Sequence, residues 1–205
     1  MPLQIPAHIE NNAVPILDAI GQESVDVYRF LSQCYAENDP EDDGVFQFLF
    51  RSFYRLDNAG LRPEFKRRFF EIMSSAKLDG HMSIKSVVND LRQITNLKGQ
   101  ESLQFSFATK LAATVDHHTP IYDAEVASIL GFRAAYNYKS FDSRLEKYLV
   151  FYNDLKQLYA YIIETDQLSE IRALFRMKFS CSVDDVSEQK ALDFIFWAAG
   201  KLSKV

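Results

Sequence analysis

Residues 104–132 read QFSFATKLAATVDHHTPIYDAEVASILGF, two helical patterns separated by a polar break. Leu103, Phe107, Leu111 and Val115 recur at every fourth position, which keeps them on one side of a helix over Glu101–Val115. Asp116-His117-His118-Thr119-Pro120 interrupts that spacing, and Pro120 drives the residue before it out of helical geometry. A second helix is expected from Tyr122 or Asp123 through Val126, Ile129 and Leu130 to a C-cap at Gly131, with Asp123 as its N-cap. Winding the first helix at about 100° per residue puts Lys110 at the edge of the apolar stripe. Ser106, Thr109, Ala113 and Thr114 surround it, and such small neighbours leave a long amine room to extend. A connection that folds the second helix back on the first would turn Lys110 and Asp123 toward one cleft.

Working outward, the chain has 205 residues, 47% of them hydrophobic, with only 7 Gly and 6 Pro. That is long enough to bury a core and short of the turn residues an all-β chain needs. The expectation is an all-α fold: a single domain over 1–205 with room for two lobes, a loose segment at 1–12, and the Lys/Asp helix pair at 101–132. A net charge of −5 excludes a surface coated in positive charge for nucleic acid, so any such contact would be a local patch. Cys34 and Cys181 lie far apart and outside any metal-ligand spacing, which reads as reduced thiols in the cytoplasm. No basic leader precedes an apolar run, and nowhere do about 18 apolar residues follow one another, so no membrane association is expected. Nothing in the sequence sets an oligomeric state.

Upstream, the spacing predicts helices over 14–36, 45–56, 62–76 and 84–95. The second is dense in aromatic residues, with Phe46, Phe48, Phe50, Phe53 and Tyr54. Pro63 suits the first turn of the third, and Ser83 the cap of the fourth. Lys66, Arg67 and Arg68 form the most basic cluster of the chain; on an amphipathic helix this is ordinarily a solvated face, and its functional reading is a phosphate contact. Downstream, 134–140 reads as a connector. Helices follow over 142–165, 168–179 and 187–202, the first carrying Leu145, Tyr148, Leu149, Tyr152, Leu155, Tyr159 and Ile162 at three- and four-residue steps.

The central stretch resembles the end of the signature of the helix-hairpin-helix DNA glycosylase superfamily, and is most similar to bacterial 8-oxoguanine DNA glycosylase-like proteins. Thr109-Lys110 matches that group's Ser/Thr-Lys pair, Pro120-Ile121-Tyr122-Asp123 its Pro-Ile-Tyr-Asp-like segment, and Val126 with Leu130-Gly131 the apolar and Leu-Gly positions beyond. The resemblance implies a helix-hairpin-helix glycosylase-like helical bundle and base excision on double-stranded DNA, without cofactor or metal. Lys110 would be the nucleophile, forming a Schiff base at the sugar C1′ of a flipped nucleotide. Asp123 would activate the amine or stabilise the cationic sugar. Lys66, Arg67 and Arg68 would be phosphate contacts.

Two other readings compete. Asp116-His117-His118 has the form of a manganese phosphoesterase motif, but that chemistry needs further aspartates after β-strands, which the pattern lacks. The other takes Asp123 as an ordinary N-cap and Lys110 as a surface lysine. The chain is then a catalytically silent glycosylase-like helical protein that binds nucleic acid or another protein.

Overall fold

Every regular element of the computed structural model, which describes residues 3–80, 82–133 and 140–203, is helical. In chain order these are α1 (His8–Asn11), α2 (Ala13–Asp18), α3 (Gln22–Glu37), α4 (Gly44–Phe53), a 3-10 turn (Leu56–Asn58), α5 (Pro63–Asp79), α6 (Ile84–Leu91), α7 (Phe105–Val115), α8 (Ala124–Ile129), α9 (Phe141–Glu164), α10 (Ser169–Phe179) and α11 (Glu188–Leu202). The all-α expectation holds among the described residues, and none of their helices is long and apolar enough to cross a membrane.

Several boundaries differ from the sequence expectation, each for a local reason. The helix expected over 14–36 is two, because the chain turns at Ala19–Gly21: Ala19 closes α2 by donating to Pro15 and Ile16, and Ser24 restarts the ladder from the Gly21 carbonyl. Within 1–12, His8–Asn11 winds one turn and buries Ile9 completely. The helix expected over 45–56 stops at Phe53, where Arg55 adopts a left-handed backbone (φ 59°). The connector at 134–140 falls outside the described residues except for Ser140, which caps α9 by accepting from the Ser143 amide.

The chain forms two compact units, a continuous one of Asp26–Asp116 and a split one of Met1–Val25 with His117–Val205. In the continuous unit the aromatic sequence of α4 becomes core. Phe46 and Phe50 are buried against Phe69 and Phe70 of α5, with ring centroids 5.6–6.2 Å apart in tilted and edge-on geometries. Burying each such ring contributes roughly 1.5–3 kcal/mol. Asp43 starts α4 by accepting from the Val45 and Phe46 amides, and Pro63 occupies the first turn of α5 as expected.

Arg68 of α5 ties that helix to α6 through a two-pronged contact with Asp90, at 2.9 and 2.6 Å. The Arg68 hydrogen bonds hold the Asp90 carboxyl below its ordinary pKa. A depressed carboxyl adds stability that is present above the ordinary Asp value and is lost as pH falls through the lowered one. Because both side chains are about 40% exposed, solvent screening limits the contribution to about 1 kcal/mol. Asp90→Asn is therefore expected to lower stability by about 1 kcal/mol near pH 7 and by nothing near about pH 2, as read from urea unfolding. An equal loss at both pH values would refute the linkage.

In the split unit α11 is the central element, packed by α2, α8, α9 and α10. Its middle is mostly apolar, and Ala191, Leu192, Ile195, Phe196, Ala198 and Ala199 are fully buried. Arg172 and Arg176 of α10 hold its first turn through Glu188, at 3.0 and 3.2 Å.

Candidate functional site

Lys110 lies in the middle of α7, in the continuous unit. The helix begins at Phe105 rather than Glu101, so Leu103 of the expected stripe lies outside it. Phe107 and Leu111 are buried, Val115 is half-buried, and Phe105, Ala108, Ala112 and Ala113 widen the packed surface beyond that stripe. The buried hydroxyls of Thr109 and Thr114 donate back to the carbonyls of Ser106 (3.0 Å) and Lys110 (2.8 Å), which satisfies them within the helix. Lys110 is half-buried, its amine 5.2 Å from the Phe107 ring centroid and 5.6 Å from that of Tyr54. The two rings confine the amine, and each attracts a cation at that distance.

Asp123 lies in the split unit as the N-cap of α8, one oxygen accepting from the Glu125 amide at 2.8 Å. The cap expected from the sequence is present. Gly131 follows α8 with a left-handed backbone (φ 74°), and the Phe132 amide reaches back to the Ala127 carbonyl at 2.9 Å, so the expected C-terminal stop is present as well. Lys110 and Asp123 thus belong to different units, and each is positioned by its own surroundings.

The loop leading into Asp123 is held at successive points. Ser187, the N-cap of α11, donates to the His117 carbonyl at 2.5 Å, and the His118 ring lies 3.4 Å from the Gln189 amide oxygen. Tyr152 of α9 donates its hydroxyl to the Pro120 carbonyl at 2.7 Å. The Ile121 amide donates to both carboxyl oxygens of Asp193, at 3.1 and 3.2 Å. Tyr122 packs edge-on against Tyr148, Phe151 and Phe132, with centroids 5.2–6.0 Å away. At the far end, Gly200 lets α11 approach the α8 backbone: a Cβ there would lie 2.6 Å from the Glu125 carbonyl oxygen.

Asp193 has a second partner in Lys190, one turn earlier on α11, at 3.9 Å. Both side chains are buried. Loss of water raises the Asp193 pKa and lowers that of Lys190, and the charge of Asp123 acts on both. Lys190 also lies over the Phe194 ring at 5.0 Å. Tyr159 of α9 is fully buried beside Asp193 without a hydrogen bond of regular geometry, and burial raises its hydroxyl pKa well above the ordinary value. Sequence reasoning missed this group. Its signal was a lysine and an aspartate three residues apart at the head of the mostly apolar stretch 191–200, which places both on one face of the helix.

The basic cluster of α5 is engaged with carboxylates. Lys66 meets Asp57 at 2.5 Å, Arg67 meets Glu71 at 3.6 Å, and Arg68 meets Asp90 and Glu71 at 2.6 and 3.1 Å. In comparisons with protein-family models, curated proteins and solved structures, no match was found.

Proposed function

We propose that the chain is a glycosylase-like helical protein acting in DNA base excision, with Lys110 as the amine nucleophile and Asp123 as the activating carboxylate. The observation that carries this reading is the Lys110 amine, half-buried and confined by Tyr54 and Phe107 on a helix whose other face is packed. A confined amine loses less freedom on meeting an electrophile than one on a mobile surface side chain. Asp123 supports the reading as a fixed carboxylate: one oxygen caps α8, and the loop before it is anchored by side chains of two helices. In the reaction, the Lys110 Nζ forms a bond to C1′ as the N-glycosidic bond breaks. The base departs with the bonding electrons and takes up a proton, the amine gives up a proton, and the C1′–O4′ bond then breaks with a proton taken up at O4′, which leaves a Schiff base.

Borohydride reduces that Schiff base to a stable adduct, which provides the test. Wild type incubated with duplexes containing 8-oxoguanine, uracil or an abasic site is expected to give a covalent adduct, absent with Lys110→Ala. No adduct on any of the duplexes, or an equal yield from the variant, would overturn the assignment.

A second reading is favoured by one observation: Lys66, Arg67 and Arg68 are each engaged with carboxylates in a chain of net charge −5. The chain also lacks the glycines with which the superfamily's hairpin holds a DNA phosphate, having Gln104-Phe105-Ser106-Phe107 before Lys110. On this reading the fold serves as a catalytically silent interaction module. It requires no adduct and no steep fall of duplex affinity with rising salt.

A further inference from the structure

We propose that Asp193 is a positioning residue for Asp123, acting through the backbone of Ile121 rather than through contact with a substrate. The inference rests on the proposed role of Asp123 and adds what keeps that carboxylate in place. A segment with a proline and short side-chain reach has few means of fixing itself, and backbone groups in a buried loop must find partners. Here the Ile121 amide is taken by Asp193 alone, through both oxygens, two residues before Asp123. The Pro120 carbonyl is taken by Tyr152. Together these clamp the peptide on either side of the Pro120–Ile121 bond, so the direction in which the chain enters α8 follows from a carboxylate on α11 and a phenol on α9.

The groups that face Asp193 fit this role. Lys190 supplies a cation from the same helix, Tyr159 closes the side toward α9, and Asp123 adds a negative charge from the start of α8. Asp193 is buried and has no exposed face to offer a substrate. Its acceptor function is separable from its charge: Asn at this position keeps an oxygen for the Ile121 amide, whereas Ala does not.

The decisive measurement is amide hydrogen exchange in the full chain. In Asp193→Ala the amides of Ile121 and Glu125 are expected to exchange about tenfold faster than in wild type, while those of α10 change by less than about threefold. Asp193→Asn should restore the Glu125 amide to within about threefold of wild type, because the acceptor remains. If Asp193→Ala does not fold, Tyr152→Phe removes the other half of the clamp, and the same two amides should exchange about fivefold faster. Acceleration at 121 and 125 no greater than in α10, for whichever variant folds, would overturn the proposal. A catalytic arm separates this result from the base-excision reading. If wild type forms the borohydride adduct, Asp193→Ala should form it about tenfold more slowly at unchanged duplex affinity, with Asn restoring the rate, and an unchanged rate would count against positioning. If wild type forms no adduct, base excision falls, and amide exchange alone decides whether Asp193 positions Asp123.

Discussion

Replacing Lys190 with Met is expected to destabilise the split unit by about 3–5 kcal/mol near pH 8. The reason is the carboxylate left behind. Asp193 is 6% exposed, and without Lys190 the Ile121 amide and the neighbouring Tyr159 hydroxyl are left to offset the loss of water. Burial already raises its pKa, and removing the cation raises it further. A carboxyl whose folded pKa lies above its unfolded value contributes most below the unfolded value of about 3.9, and that contribution is lost as pH rises through the folded pKa. The Lys190→Met penalty should therefore shrink as pH is lowered from about 8 toward about 5. Lys190→Met combined with Asp193→Asn should recover about 2 kcal/mol or more of the loss, because the second change removes the stranded charge and keeps the acceptor. Urea unfolding of wild type, both single variants and the double variant measures the coupling directly. Additive losses with no pH dependence would show that the two groups do not act as a pair.

Gly200→Ala is expected to cost about 2–4 kcal/mol, although alanine is the better helix former by about 1 kcal/mol. The added methyl would lie 2.6 Å from the Glu125 carbonyl oxygen and 2.8 Å from its carbon and Cβ. The first two of these are backbone atoms, so no side-chain rotation relieves the overlap and α8 itself must shift. Since Asp123 caps α8, the shift should also accelerate exchange of the Glu125 amide. A neutral or stabilising result in thermal unfolding would mean that α8 moves aside freely, and that the proximity of Gly200 to Glu125 does not hold it.

What could be read in advance depended on whether the cause was local. Asp123 at the head of α8, Pro63 in the first turn of α5 and the long apolar period of α9 were legible because each is fixed by residues within a turn or two. The early end of α6 at Leu91 was not. Leu97 donates to the Gly60 carbonyl at 3.0 Å and Arg62 to the Asn96 carbonyl at 3.1 Å, so a distant turn holds the residues beyond α6 out of the helix. The left-handed Asp166 and Leu168 between α9 and α10 were equally hidden, being neither Gly nor Asn. Lys110 and Asp123 were singled out within one stretch, by its helical pattern and by its resemblance. Asp193 and Tyr152 lie well beyond that stretch and enter only when α9 and α11 pack on the loop.

The split unit takes its first segment from before Asp26 and its central helix from Glu188–Leu202, and this order has a consequence during synthesis on the ribosome. The continuous unit has all its residues once Asp116 has emerged, and can fold while translation proceeds. α2, which packs on α11, must wait until Leu202 has been made, an interval on the order of ten seconds at common elongation rates. During that time Ile16, Leu17 and Ile20, all buried in the finished protein, have no α11 to cover them. A nascent chain stalled before residue 188 would carry a finished unit and an uncovered apolar segment, the kind of surface that chaperones engage.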